Sequence, residues 1–547
     1  MKKLNIKNIS SLEKVFPVMG SSETEFNQAS TLIDEEFSYQ VIVKGDWNIH
    51  GSEELEVRVC SEIADYVKVY NIGYVPVTFP SYPEEYDNDF ISHHPGVFPD
   101  VLLPEANYIM VKSYSYTALW VSVRLDEKVP AGIYNIKLVF SDKENVLGES
   151  TFKLELIGAR LPKSDIPVTQ WLHPDCIATY HGCEMYSDKH WELIDKYMVL
   201  ASEHGLNMIL TPIFTLPLDT KIGAERPTFQ LVEVEYKDGK YTFDFANLEK
   251  WLRLCRKNNF KYIELSHLYS QWGAGHTPKV VVTENGKKIK KFGWHTDSMS
   301  EEYKSFIIQL VPHLKKFLAE NWDIDKVYFH ISDEPSAADI EHYGEIYNFI
   351  KPLFGEVKQM DAISNYELCK LNYIENPVVE MVFINNFLEN GIEDMWVYYC
   401  CGEGKNNLSN RFIAMPSYRN RIIGAQLYKF SIKGFLQWGY NFYYSHHSTH
   451  PINPYINNDG DGLFPAGDAF SVYPVNEGAV PSLRLKVFNE ALQDMMAFKL
   501  LEKYVGRDAV LKILDKDGTL DFNTYSRNSR DVLINREKVN QMIKENL

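Results

Sequence analysis

A multidomain α and β fold is what the sequence predicts: an N-terminal β-sandwich, a (β/α)8 TIM-type barrel and a C-terminal helical appendage. Three observations predict it. Residues 1–162 hold short strand-like runs separated by turn signals and no long amphipathic helix. Over residues 163–481 strand-like and helix-like segments alternate, with eight strand candidates. Residues 482–547 are helical in pattern. The 547-residue length also requires more than one core, since domains run to roughly 150 residues and a barrel to about 250.

In the first region, residues 37–43 and 54–59 alternate apolar and polar side chains, residues 108–123 form one long Tyr/Val/Trp-rich stretch, and residues 134–140 alternate again after the turn Pro130-Ala131-Gly132. Period-two alternation marks a strand with one buried face, and turns between short strands mark a sandwich. Residues 74–103, rich in Pro, Tyr and Asp, read as an ordered loop facing the next domain. The boundary falls at Leu161-Pro162-Lys163-Ser164.

The eight barrel strands are predicted at residues 168–173, 208–213, 262–268, 327–331, 359–363, 378–384, 395–400 and 434–438. Helices are predicted at 187–204, 248–257, 301–320 and 337–350. The last is the best signalled. Ser336 is its N-cap with Asp339 three residues on; Ile340, Tyr343, Ile346, Tyr347 and Ile350 fall on one stripe; Pro352 and Gly355 follow. Later barrel helices are faint. The clearest C-terminal helix is 483–503, and a small appendage follows Gly506.

Charge excludes some partners. Fifty-six Lys and Arg against 74 Asp and Glu leave a net −18, which argues against nucleic acid and anionic lipid. No apolar run reaches the ~18 residues of a membrane span. Met1-Lys2-Lys3 has no apolar stretch behind it, so a cytoplasmic protein is expected. The seven cysteines, Cys60, Cys176, Cys183, Cys255, Cys369, Cys400 and Cys401, have no zinc-type spacing and read as reduced; the vicinal pair Cys400-Cys401 reads as packing. There is no Gly-rich phosphate loop, no Gly-x-Ser-x-Gly elbow and no helix with His at i and i+4. Neither cofactor nor catalytic metal is expected.

The sharpest chemistry is His330-Ile331-Ser332-Asp333-Glu334-Pro335, an apolar strand ending in two adjacent carboxylates just before a helix. Barrel active sites lie at the C-terminal ends of strands, and environment can keep one carboxylate ionised and the other protonated. Other strand ends carry Trp171 with His173 and Asp175; Glu264 and His267, continuing to Gln271 and Trp272; Asp361; Tyr398 and Tyr399; and Trp438 with Asn441. Aromatic faces for sugar C–H surfaces beside polar edges for hydroxyls make a carbohydrate cleft.

These motifs carry a family resemblance. His173-Pro174-Asp175-Cys176, Leu218-Asp219-Thr220, Ser266-His267-Leu268, Gln271-Trp272-Gly273-Ala274, Phe292-Gly293-Trp294, the 330–335 segment, Asn410-Arg411, residues 434–441 and Gly467-Asp468 resemble the domain-of-unknown-function family 4091. That family is similar to glycoside hydrolase family 123, the retaining β-N-acetylgalactosaminidases. The resemblance implies hydrolysis of a terminal β-linked 2-acetamido-2-deoxy sugar, GalNAc first, with an oligosaccharide or glycoconjugate fragment as substrate. It implies substrate assistance, in which the acetamido oxygen attacks the anomeric carbon. Asp333 would then orient the acetamide and Glu334 would be the acid and base.

The end of the seventh strand bears no carboxylate for an enzyme nucleophile, the first acidic residue beyond it being Glu403. A tyrosine there, Tyr399 or else Tyr398, is expected to donate to the acetamide oxygen. His173, Asp175, His267, Gln271, Trp272, Trp294, Asp361, Trp438 and Asn441 complete the expected substrate contacts, Trp438 as floor for the ring. Alternatives are a glycosidase of other sugar specificity using Glu334 with Asp361, and a carbohydrate-binding protein without activity.

Overall fold

The computed structural model describes residues 3–21, 23–47, 51–84, 87–143 and 145–547. Met1 and Lys2 at the N-terminus, and Glu85 and Tyr86, lie outside the described residues; of the segment 74–103, expected as a loop, both ends are strand, in Val67–Val77 and Gly96–Leu103.

Two five-stranded sheets form the N-terminal part. One runs, in spatial order, Lys3–Ser10, Glu36–Asp46, Thr117–Arg124, Val67–Val77, Gly96–Leu103; the other Gln28–Ile33, Val146–Arg160, Gly132–Ser141, Ser52–Cys60, Tyr108–Lys112. Neighbours are antiparallel except Gln28–Ile33, which runs parallel to Val146–Arg160. Inward residues of both sheets share one core. Tyr39, Val41 and Val43 face Leu138, Phe140, Phe152 and Leu154, and the Tyr39 and Phe152 rings stack at 4.2 Å.

The stretch 108–123, expected as one run, is two strands, Tyr108–Lys112 and Thr117–Arg124, in different sheets. The chain turns a corner at Ser113-Tyr114-Ser115-Tyr116 and crosses the sandwich. Apolar residues recur on both sides of that corner, which hides it from a composition reading.

Eight parallel strands then build a nearly closed barrel: Val168–Gln170, Met208–Thr211, Tyr262–Leu265, Val327–Phe329, Lys358–Ile363, Asn376–Glu380, Trp396–Tyr398 and Phe435–Gln437. Each overlaps its expected position. The first and second strands stand at the two ends of the hydrogen-bonded order, and Asn207 bridges this seam. Its N–H donates to the Val168 carbonyl (3.1 Å), its side-chain oxygen accepts from Val168 N–H (2.8 Å) and its amide donates to Ile166 (2.9 Å).

The barrel interior is filled by alternate strand residues, among them Met208 and Leu210, Tyr328, Met360 and Ala362, Val378, Trp396 and Tyr398, and Leu436. The residues between them, such as Ile209, Phe329, Ile363 and Val397, pack outward against the helices.

The four well-signalled helices are Asp188–Glu203, Ala246–Lys257, Glu301–Asn321 and Ile340–Phe354. The expected Ser336–Asp339 capping box is formed, over a short 3-10 turn preceding the last of them. Later connections hold only short helices, Glu367–Lys370, Ile384–Glu389, Ser417–Arg421 and Ile423–Lys429, which explains their faint signal. Two hairpins not foreseen in the sequence, Glu233–Lys237 with Lys240–Asp244 and Val280–Glu284 with Lys287–Phe292, join in a four-stranded sheet.

Helix Leu483–Val505 is buried along most of its length. It ties the parts together through ion pairs Arg484–Asp100 (2.9 Å) and Arg421–Asp494 (2.8 Å). No helix among the described residues is long and apolar enough to cross a membrane.

Candidate active site

A cavity opens at the C-terminal end of the barrel strands. Asp333 and Glu334 stand on its wall, four and five residues beyond the end of the fourth strand. Trp171, Ala362 and Leu436 give it apolar surface. Gln271 and Trp272 come from the loop after the third strand, Tyr398 from the end of the seventh, and Trp438 and Phe464 from the region after the eighth.

The backbone there is held against its preferences. Glu334 and Trp272 have φ of +47° and +57°, in the left-handed region that non-glycine residues avoid at a cost of ~1–3 kcal/mol. Cross-strand bonds hold them. Trp272 N–H donates to the Asp333 carbonyl (2.8 Å), and Glu334 N–H to the Ala362 carbonyl (3.2 Å). Adjacent carboxylates thereby enter one cavity as separate groups.

Their partners differ. The Tyr398 hydroxyl donates to Glu334 Oε1 at 2.5 Å, whereas the Asp333 carboxylate has no hydrogen-bond donor among the described residues and is shaped only by burial and nearby charge. Burial and then the charge of Glu334 push the Asp333 carboxyl well up, against the opposing charge of His330. Burial also raises Glu334, and the Tyr398 hydroxyl pulls it back. The charge of each carboxyl bears on the ionisation of the other, so the two do not titrate independently.

Beneath them lies a buried ionic network. His330 Nδ1–H donates to Asp361 Oδ1 (2.9 Å), and Nε2–H to Glu264 Oε1 (2.6 Å). Burial disfavours the imidazolium, but hydrogen bonds to Asp361 and Glu264 overcome it and push His330 up to about 10. Trp171 Nε1–H donates to the same Glu264 oxygen (2.7 Å). The cavity floor and the strand bearing Asp333 are thus fastened to one positive charge.

The structure brings some expected contacts to the cavity and sets others beneath it. Gln271, Trp272, Tyr398 and Trp438 are on the wall. Asp361 is not, and this corrects its expected role. Between the inward Met360 and Ala362 it points outward, where it accepts from His330, from Tyr343 and Gln359, and from the Ile331 backbone. With both oxygens engaged, it is no substrate contact and no nucleophile.

Tyr399 is corrected for the same reason of parity: its hydroxyl donates to Asn420 (3.2 Å) and its ring packs on Phe435. His267 is buried, stacked on His330 at 4.2 Å and held neutral by burial. Trp294 lies in a separate cleft with Arg226 and His295, against His276.

His173, Asp175 and Asn441 are also buried rather than exposed to a ligand. Arg226 makes a bidentate pair with Asp175 (2.9 and 2.7 Å) and donates to His173 Nδ1 (3.2 Å). His173 Nε2–H donates in turn to the Trp438 carbonyl (3.1 Å), while Asn441 clamps the His173 backbone at both N–H and carbonyl. Trp438 Nε1–H donates to Asp468 (2.9 Å). These residues therefore orient Trp438.

Arg226→Met would strand the Asp175 charge. It is expected to cost ~3–5 kcal/mol of stability, read as a lowered midpoint in chemical unfolding.

Sequence reasoning missed Arg226, Asp219 and Phe464 as site residues. Asp219 lines the cavity, accepts from His447 N–H (2.9 Å) and is pushed up to about 7 by burial. Its N–H donates to Gln271 (2.5 Å), which joins the loops after the second and third strands. Only its place in the Leu218-Asp219-Thr220 motif marked it.

The fold has a counterpart among solved structures. The solved structure of a family 123 glycoside hydrolase from Clostridium perfringens, studied for glycolipid glycan hydrolysis, superposes with a TM-score of 0.72. It has 15% identity and covers 99% of this chain and 98% of that one. A Bacteroides ovatus GH5 xyloglucanase, at 8% identity with 86% and 99% covered, reaches a TM-score of only 0.28. No curated protein matches the chain in sequence.

Paired half-buried carboxylates in an aromatic-walled barrel mouth are the equipment of glycoside hydrolysis, and a match to a glycoside hydrolase family model makes the protein a glycoside hydrolase. More particularly, the model for the catalytic domain of glycoside hydrolase 123 matches residues 171–501, more than half of the chain, which belongs to that family.

Proposed function

We propose that the enzyme removes a terminal β-linked 2-acetamido-2-deoxy sugar, GalNAc first, from a glycan by a retaining, substrate-assisted reaction. The observation that carries this reading is the inequality of the pair. Glu334 is supported by Tyr398, and Asp333 faces the cavity with no protein donor among the described residues. An acetamide N–H is the donor Asp333 lacks.

That bond favours the charged form of Asp333, and the negative charge beside it favours the protonated form of Glu334. The acetamide oxygen then attacks the anomeric carbon while the glycosidic C–O bond breaks and Glu334 protonates the leaving oxygen. Asp333 stabilises the positive charge developing on the oxazoline-type intermediate. Glu334, now a carboxylate, takes a proton from water, the water oxygen attacks the anomeric carbon, and the acetamide re-forms with the β configuration retained.

The engagement of Asp361, the carboxylate that the alternative reading pairs with Glu334, supports the same reading. A carboxylate nucleophile would stand about 5 Å from the acid. Asp361 is fully engaged, and Glu380, paired with Tyr398 across the ladder, is not on the cavity wall. Trp438 and Phe464 offer apolar faces for the sugar ring. Because the Clostridium perfringens enzyme was studied for glycolipid glycan hydrolysis, a glycoconjugate is the first natural substrate to try.

The test is a panel of aryl β-glycosides of GalNAc, GlcNAc, galactose and glucose. Hydrolysis confined to acetamido sugars and blocked by a thiazoline mimic of the intermediate is expected. Hydrolysis only of sugars without the acetamide would overturn the proposal.

Tyr398→Phe removes the hydroxyl that favours the Glu334 carboxylate. The alkaline limb of the kcat/KM profile is expected to move to higher pH, because the acid then holds its proton longer. Turnover should fall ~10–100-fold, the worth of one hydrogen bond to a charged group.

A further inference from the structure

Beside the catalytic pair lies a second cluster that the proposed reaction does not use. Glu380 ends the sixth strand, Cys400 follows the seventh, and Glu403 stands three residues further on. One ligand atom from each, a thiol sulfur and two carboxylate oxygens, lie within 4.8 Å of one another.

We propose that Glu380, Cys400 and Glu403 form a binding site for a thiophilic divalent cation such as zinc, bordering the catalytic cavity.

An independent feature points to a missing ligand. Glu403 is fully buried, and while its Oε2 accepts from Cys400 N–H at 2.7 Å, its Oε1 has no hydrogen-bond partner. A buried carboxylate oxygen without a partner is costly. No hydrogen-bond donor among the described residues reaches that Glu403 oxygen to relieve it. A cation would.

The loop is already fixed in place for one. Asn410 Nδ2–H donates to the carbonyls of Cys400 (2.8 Å) and Glu403 (3.4 Å). Tetrahedral zinc sets its ligands about 3.3–3.8 Å apart, so atoms that already lie within 4.8 Å of one another have a short distance to close. A thiolate with two carboxylates selects zinc or cadmium over magnesium or calcium, which take oxygen alone. A water or the neighbouring free thiol of Cys401 can fill the fourth position. Cys400 shares the cavity wall with Glu334, so the bound ion narrows the site and slows turnover.

A second group, Asp219 with His446 and His447, is the rival. Its carboxylate already accepts from His447 N–H, and its imidazoles stack on each other at 3.7 Å.

The experiment uses the full chain, stripped with a chelator and kept reduced by a phosphine. Zinc is titrated calorimetrically, and cadmium is followed by its thiolate charge-transfer absorbance. One equivalent of each ion is expected, with the cadmium band lost in Cys400→Ser and zinc affinity reduced more than ~10-fold in Glu403→Gln. Zinc should raise the unfolding temperature of the wild type but not of Glu380→Gln, a variant that reports on the site even if one of the others fails to fold.

No zinc binding, cadmium binding without a thiolate band, unchanged affinity in the variants, or binding abolished by His446→Ala with His447→Ala would each overturn the proposal.

Discussion

Glu334→Gln is expected to lower turnover of substrates with a sugar or alkyl leaving group by ~10²–10⁴-fold, the usual contribution of a positioned general acid and base. The amide keeps the shape of the side chain and can still meet the Tyr398 hydroxyl, which donates to Oε1 in the native site, but it has no proton to give. The loss should depend on the leaving group. An activated aryl group departs without a proton, so its bond cleavage should survive while the later attack of water slows. A burst of aryl release followed by a slow steady state is the expected trace, and added azide, which needs no base, should speed the second phase. Equal loss on every leaving group would remove Glu334 from the acid role.

The second large effect is at Asp333. Asp333→Asn keeps the side-chain volume but turns the hydrogen-bond acceptor facing the acetamide into a mixed group without charge. The stabilisation of the oxazoline-type intermediate is lost, and kcat on acetamido substrates should fall ~10²–10³-fold, as for the loss of one preorganised electrostatic partner. Affinity for a thiazoline should fall with kcat, because the mimic carries the charge of the intermediate. The pH profile should also simplify, since the charge of position 333 no longer bears on the ionisation of Glu334. An Asn variant that still binds the thiazoline at wild-type affinity would contradict the assignment.

Much of this site is written in local sequence pattern. The apolar run Val327-Tyr328-Phe329 before Asp333 and Glu334, with a capped helix start behind them, places the pair at a strand end, where the structure has it. Strand parity is equally legible. Trp396 and Tyr398 share one face, so Tyr398 faces the barrel interior and Tyr399 the helices; likewise Asp361 lies between inward Met360 and Ala362. Choosing Tyr399 and Asp361 as contacts means reading residue type without parity.

Closure by distant residues is not legible. His173 and Asp175 look like a polar rim until Arg226, 51 positions from Asp175, engages both. His330 looks like a strand-end ligand until Glu264 and Asp361 close on it from neighbouring strands, 66 and 31 positions away. Such pairings are set by barrel topology, and a single sequence carries no trace of them. The N-terminal corner at residues 113–116 is hidden for the opposite reason, because both of its flanks carry the same strand composition.

The most direct test of the central claim compares aryl β-glycosides whose 2-acetamido group carries zero, one, two or three fluorines. Fluorine weakens the carbonyl oxygen as a nucleophile and leaves the glycosidic bond and the carboxylates untouched. If the substrate supplies the nucleophile, kcat falls stepwise with each fluorine and the Asp333→Asn variant shows the same slope from a lower start. If kcat is indifferent to fluorination, a carboxylate of the enzyme attacks the anomeric carbon, and the roles assigned to Asp333 and Glu334 are wrong.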